Sequence, residues 1–167
     1  MIDRNLEFIF IHVPRTGGYS AYKMLGYNKK PPGPTHTPRF MVAEDYFSFG
    51  FIRNPWDRMY SCYRRQCEYE KLEGRSFKYY LFEGLQDNAT ANCAMWYLDG
   101  CDYIGRYENL QADWSEIQKR MGIDQESLPW LNSRGNSDYR GQYDAELVDF
   151  IATNHADDIT YGGYTFE

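Results

Sequence analysis

Three groups of residues in this 167-residue chain have types and spacings suited to chemistry on an anion. The first is Pro14-Arg15-Thr16-Gly17-Gly18-Tyr19-Ser20, which follows the apolar run Phe8-Ile9-Phe10-Ile11-His12-Val13. Such a run, halted by proline and two glycines, reads as buried strand, tight turn and helix start. Gly17 and Gly18 lack a Cβ, so their backbone can take positive φ and come close to a ligand. The amides of Thr16, Gly17, Gly18, Tyr19 and Ser20 would then converge at the positive end of a helix dipole, a nest for a tetrahedral anion. Thr16 and Ser20 add hydroxyls, and Arg15 adds a permanent charge. Gly-Gly alone marks many ordinary turns; the basic residue, the hydroxyls and the strand together favour an anion site. The second group is Arg53 and Ser61, at either end of Asn54-Pro55-Trp56-Asp57-Arg58-Met59-Tyr60. A helix predicted here places Ser61 about two turns in, roughly 10 Å along its axis, where a forward-reaching Arg53 would share a phosphate with it. The third is His36, set among four prolines in the run 29–38.

Positioning these groups requires an alternation of strands and helices. A strand over 7–13 feeds the glycine turn, and a first helix follows over 20–25. The prolines of 29–38 remove donors and fix φ, so that run is a loop, long enough to be functional. A short helix is predicted over 40–46 and a second strand over 47–52, ending at Arg53, where ligands bind in open α/β sheets. Asn54 suits the N-cap of the next helix, Pro55 its first position and Asp57 its first turn; the helix runs to about residue 71. Helical patterns at 76–82 and 91–98 carry aromatic faces (Phe77, Tyr80, Trp96) that read as core. A strand is predicted over 102–106. Asn109 then caps a helix whose apolar Leu110, Trp114, Ile117 and Met121 recur at helical spacing, with Gly122 after it. A last helix runs from Asp144 to Asn154. The expected fold is α/β, a three-layer P-loop-like arrangement in which helices flank a small, mainly parallel sheet, within a single domain over 1–167.

Composition narrows the function. The net charge of −6 argues against a nucleic-acid partner. Positive charge is local instead: Arg53, Arg58, Arg64 and Arg65 crowd thirteen residues with one acid, Asp57, which suits an anionic small ligand. The four cysteines have no CxxC pair and no histidines at zinc spacing, so free thiols are expected. No signal-sequence pattern and no membrane-spanning apolar run occur, so no membrane partner is expected and the expected location is cytoplasmic. A nucleoside-triphosphatase loop places lysine after its glycines, whereas here the basic residue precedes them. The second strand ends in Arg53 and not in a magnesium-binding aspartate. A nucleotide kinase therefore ranks low, and a phosphate-like ligand without a metal is expected.

Taken together, the two phosphate motifs resemble those of the sulfotransferases that use 3′-phosphoadenosine 5′-phosphosulfate (PAPS). The segment 14–20 looks like the family's 5′-phosphosulfate loop, and 51–63 looks like its 3′-phosphate motif, with Arg53 and Ser61 in the phosphate-contacting places. Similarity continues through 105–110, 128–132, 139–144 and 158–166, closest to the carbohydrate branch. The resemblance implies transfer of a sulfuryl group from PAPS to a sugar hydroxyl, leaving 3′-phosphoadenosine 5′-phosphate (PAP), with no metal. It implies that Arg15, where the family usually has lysine, stabilises the leaving phosphate. It also implies that Arg134, in Ser133-Arg134-Gly135, caps a phosphate, and that His36, ahead of the second strand, is the general base. Trp56 is a candidate adenine neighbour. His12, inside a strand, reads as structural, and His155 as a cation at a helix end. Arg15 in place of lysine, and Tyr19 where a small hydroxyl residue is common, keep a second reading open: a catalytically weak PAPS- or PAP-binding protein. Acceptor identity and oligomeric state are not legible.

Overall fold

Alternation within two apolar runs sets the architecture. In β2 (Phe8–Ile11) and β3 (Phe47–Ile52), successive side chains point to opposite faces, and both faces are apolar. The computed structural model describes residues 1–27, 36–69, 72, 74–85, 91–124 and 138–166. Its sheet has the order β1-β2-β3-β4. β2 and β3 pair in parallel with Ile11 opposite Gly50, and β4 (Tyr103–Arg106) continues the parallel array with Ile52 opposite Arg106. The two-residue β1 (Ile2–Asp3), absent from the sequence expectation, adds antiparallel to β2.

Phe8, Phe10, Phe49 and Phe51 face one side, where α1 (Gly18–Met24) supplies Ala21 and Tyr22. On the same side α5 (Leu110–Met121) supplies Leu110, Trp114 and Ile117. Ile9, Ile11 and Ile52 face the other, against Ala94, Tyr97 and Leu98 of α4 (Ala94–Leu98). Helices therefore cover both faces of a small, mostly parallel sheet, as expected. A third apolar cluster joins α2 (Pro55–Glu68) to α3 (Phe77–Tyr79), its π-helical continuation (Tyr80–Gly84) and α6 (Ala145–Asn154).

Local chemistry explains most helix ends. Asn54 Oδ1 accepts from the amides of Trp56 and Asp57, Ser76 Oγ from that of Tyr79, and Asp144 from that of Leu147. Gly122 closes α5 in the left-handed conformation. Asn109 holds the N-cap position of α5 without a side-chain capping bond. Other expectations need correction. The helix predicted over 40–46 is only a 3₁₀ turn (Arg39–Met41), because three residues without a capping side chain do not propagate. The helix predicted from 91 begins at Ala94. The chain also does not end on α6: α7 (Ala156–Gly162) follows at once, and its Asp158 accepts from the amides of Ala94 and Met95 to cap α4 from a distance. All four cysteines are free thiols. Among the described residues no helix is long and apolar enough to cross a membrane.

Candidate active site

Both phosphate motifs emerge at the C-terminal edge of the parallel strands, β2 into one and β3 into the other, so adjacent strands bring together residues far apart in sequence. Arg15 Nε donates to Ser61 Oγ at 2.9 Å across 46 positions. Arg53 Nη1 donates to the Arg15 carbonyl at 2.9 Å, and its Nε and Nη2 hold Asp57 Oδ2 at 2.8 and 2.7 Å. Its guanidinium also lies 4.1 Å from the centre of the Tyr107 ring. The sequence pairs Arg53 with Ser61; in the structure Arg15 reaches the serine and Arg53 braces the loop that carries Arg15. The reason is geometric. Arg53 reaches forward to Asp57 in the first turn of α2, four residues on, whereas Arg15 has a left-handed backbone (φ 67°) and its side chain meets Ser61 of α2.

Inside the loop, Gly17 has φ 84°, the positive value expected. Gly18 is needed for another reason: a Cβ there would lie 2.0 Å from His12 Cδ2. The amide of Ser20 bonds to the Gly17 carbonyl at 3.0 Å, and the Thr16 hydroxyl donates to the Val13 carbonyl at 2.9 Å. Both groups hold the turn closed, so an anion would meet the amides ahead of Ser20, in the first turn of α1, where no intrahelical acceptor exists. Tyr19 points outward, with Lys23 over its ring.

His36 belongs to the same neighbourhood. Its Nδ1 lies 2.9 Å from the His12 carbonyl, and the two imidazoles are 4.8 Å apart. A carbonyl only accepts, so Nδ1 carries the hydrogen and Nε2 keeps the lone pair in the neutral ring. His12, which the sequence suggests is merely structural, lies just past β2 with its ring on Gly18 and 5.2 Å from Tyr22.

Three other side chains, those of Trp56, His155 and Cys62, are buried. The Trp56 indole, the candidate adenine neighbour, is buried, donates to the Val148 carbonyl and packs on Phe166. His155 is no helix-end cation: burial between α6 and α7 lowers its pKa. Burial raises the Cys62 thiol against the pull of Arg58, Arg15 and Arg53, so it is not a reactive thiolate. Arg134 lies outside the described residues, as do the matches at 128–132. Among the described residues no group of three or more His, Cys, Asp or Glu side chains is arranged to hold a metal ion.

Comparison with known proteins agrees with this geometry. The chain is 28% identical over 104 residues to an uncharacterized protein of Archaeoglobus fulgidus, covering 59% of this chain and 87% of that one. In three dimensions it is similar to the crystal structure of a sulfotransferase from Alicyclobacillus acidocaldarius, with a TM-score of 0.57 over 95% of this chain and 96% of that one. At 16% identity that likeness establishes the fold. The sequence profile of the sulfotransferase family matches residues 1–99, the segment that contains both phosphate motifs and His36. On that match, which spans more than half of its length, the chain belongs to the sulfotransferase family.

Proposed function

We propose that this protein transfers the sulfuryl group of PAPS, by in-line displacement and without a metal, to a hydroxyl of a carbohydrate or similar small acceptor. The observation that carries the reading is the contact of Arg15 with Ser61, which joins the two phosphate motifs into one site. The residues fit the donor's two anionic ends. First-turn amides of Gly17, Gly18 and Tyr19, with the Thr16 amide and the Ser20 hydroxyl, suit the 5′-phosphosulfate. Arg53 and Ser61 suit the 3′-phosphate, and Arg134 is a candidate to cap it.

Sulfuryl transfer passes through a loose transition state with charge building on the leaving oxygen. Arg15 stands beside the loop to stabilise that charge. As the acceptor oxygen bonds to sulfur, the bond from sulfur to the leaving phosphate oxygen breaks, and the hydroxyl proton passes to His36 Nε2. The His12 carbonyl selects the tautomer whose lone pair is on Nε2.

The test is thermal stabilisation by PAP in the presence of a chelator. A ligand at a hundred times its dissociation constant stabilises by about 2.7 kcal/mol, and ATP should do much less. Equal shifts from both nucleotides, or a shift only with magnesium, would sink the assignment. One observation favours a catalytically weak binder instead: Arg15 already spends Nε on Ser61. Arg15→Lys decides between the two, since a rise in turnover would show that the guanidinium is a compromised replacement.

A further inference from the structure

Asn54 follows Arg53 and caps α2, and its backbone amide needs a partner from outside the helical ladder. In a capping box, the side chain three positions on reaches back to that amide. Here the residue in that place is Asp57, which is turned to Arg53 Nε and Nη2 instead. The partner comes from far along the chain: Glu108 Oε1 accepts from the Asn54 amide at 2.7 Å, across 54 positions.

Glu108 is itself held. Its Oε2 accepts from the Tyr164 hydroxyl at 3.0 Å. The Tyr164 ring lies against Gly162, where a Cβ would fall 2.1 Å from Cε2. Arg106 donates to the Gly162 carbonyl, and its guanidinium lies 5.4 Å from the centre of the same ring. Burial, and then the nearby Glu108, raise the pKa of the Tyr164 hydroxyl, so it stays a donor. Asn54 Nδ2 also donates to the Thr165 carbonyl at 3.1 Å. The C-terminal tail therefore holds Asn54 twice, directly and through Glu108.

Charge argues that this carboxylate is not there to meet the ligand. Glu108 is exposed, and an anion beside a phosphate site repels what the site must bind. What it supplies is a fixed backbone. A phosphate that displaces Asp57 from Arg53 leaves the Asn54 amide still held, so the origin of the arginine side chain stays put through the exchange. Small misplacements of a binding group are costly, which gives that anchorage its value.

We propose that Glu108 is a positioning residue for the 3′-phosphate: anchored by Tyr164, its carboxylate fixes the backbone that carries Arg53 without touching the ligand. This inference rests on the PAPS reading.

The test separates the two. Wild type, Glu108→Gln and Glu108→Ala are titrated by calorimetry with PAP and with adenosine 5′-phosphate, which lacks only the 3′-phosphate. Glutamine removes the charge and can keep both contacts, its Oε1 accepting from the amide and its Nε2 donating to the Tyr164 oxygen. The wild type should prefer PAP. Glu108→Ala should weaken PAP about tenfold with adenosine 5′-phosphate nearly unchanged, while Glu108→Gln keeps the preference or exceeds it. A residue that only fastens the tail would weaken both nucleotides together or neither, and either result overturns the proposal. So does a glutamine variant as poor as the alanine one, or a Glu108→Ala protein that binds PAP more tightly. If Glu108→Ala does not fold, Tyr164→Phe takes its place, since it keeps the ring and removes the anchor. A smaller loss of the PAP preference is then expected, and an unchanged preference overturns the proposal. A wild type that binds the two nucleotides equally would instead remove the PAPS reading itself.

Discussion

Two arginines five residues apart on the same motif show how differently this protein treats positive charge. Arg53 lies at the ligand edge, with every part of its guanidinium engaged: Asp57, the Arg15 carbonyl and the Tyr107 face. Arg58 faces inward, is wholly buried and makes one hydrogen bond, from Nη2 to the Asn92 carbonyl, while its Nε and Nη1 have no hydrogen-bond partner among the described residues. Its surroundings are the buried Asp158 and His155, 3.7 Å from each other. Burial pushes the Asp158 carboxyl up, but His155, Arg58 and the amides of Ala94 and Met95 together hold it below the usual carboxylate range. The contrast separates function from folding. Arg53's partners include a carboxylate near solvent that a phosphate could replace, whereas Arg58 is enclosed charge on α2, bonded to the Asn92 carbonyl ahead of α4 and felt by Asp158 of α7.

The predictions test that division, starting with the reacting end itself. His36→Ala should cost about 10²–10⁴-fold in turnover with PAP affinity nearly unchanged. The acid limb of the wild-type rate profile, which reports a protonated base, should vanish in the variant. Full activity in His36→Ala would move the role to another group.

On the enclosed side, Arg58→Ala should lower unfolding free energy by roughly 3–5 kcal/mol, because Asp158 loses its buried counter-charge. Arg58→Met, which refills the volume, should lose less. Denaturant midpoints check this. A variant as stable as wild type would show that Arg58 belongs to the ligand end after all.

Arg53→Ala should instead leave the protein folded and weaken PAP by about 1.5–3 kcal/mol, with Ser61→Ala losing about 0.5–1.5 kcal/mol. Calorimetric affinities unchanged in both would place the 3′-phosphate elsewhere.

The smallest effect is a pH dependence. His155 has a folded pKa below its unfolded value, so the unfolded chain binds its proton first and stability falls as pH drops below about 6.5. Asp158, also lowered, adds a further loss only below about pH 3.8. The first loss should be missing in His155→Gln. Melting temperatures across pH 4–8 that fall equally in both proteins would remove His155 from this role.

How much of this was legible beforehand depends on the range of the interaction. The strand 47–52 and the cap at Asn54 could be read directly, because an apolar run and a capping bond are settled within a few residues, although Asn109, read in the same way, makes no capping bond. The segments 14–20 and 51–63 were legible as candidate phosphate motifs, since residue type and spacing carry that reading. What the sequence could not decide was which arginine meets Ser61. That depends on β2 and β3 lying side by side and on the left-handed turn at Arg15. Nor could it place His12 over Gly18, enclose Arg58, or show that Asp158 caps a helix 64 positions earlier. Sequence alone determined most local elements and which residue types could meet an anion, because short-range sterics and hydrogen bonding set the first and side-chain chemistry the second. Tertiary structure alone decided which of those charges are displaceable and which are sealed, because desolvation and partner geometry exist only once distant segments have packed.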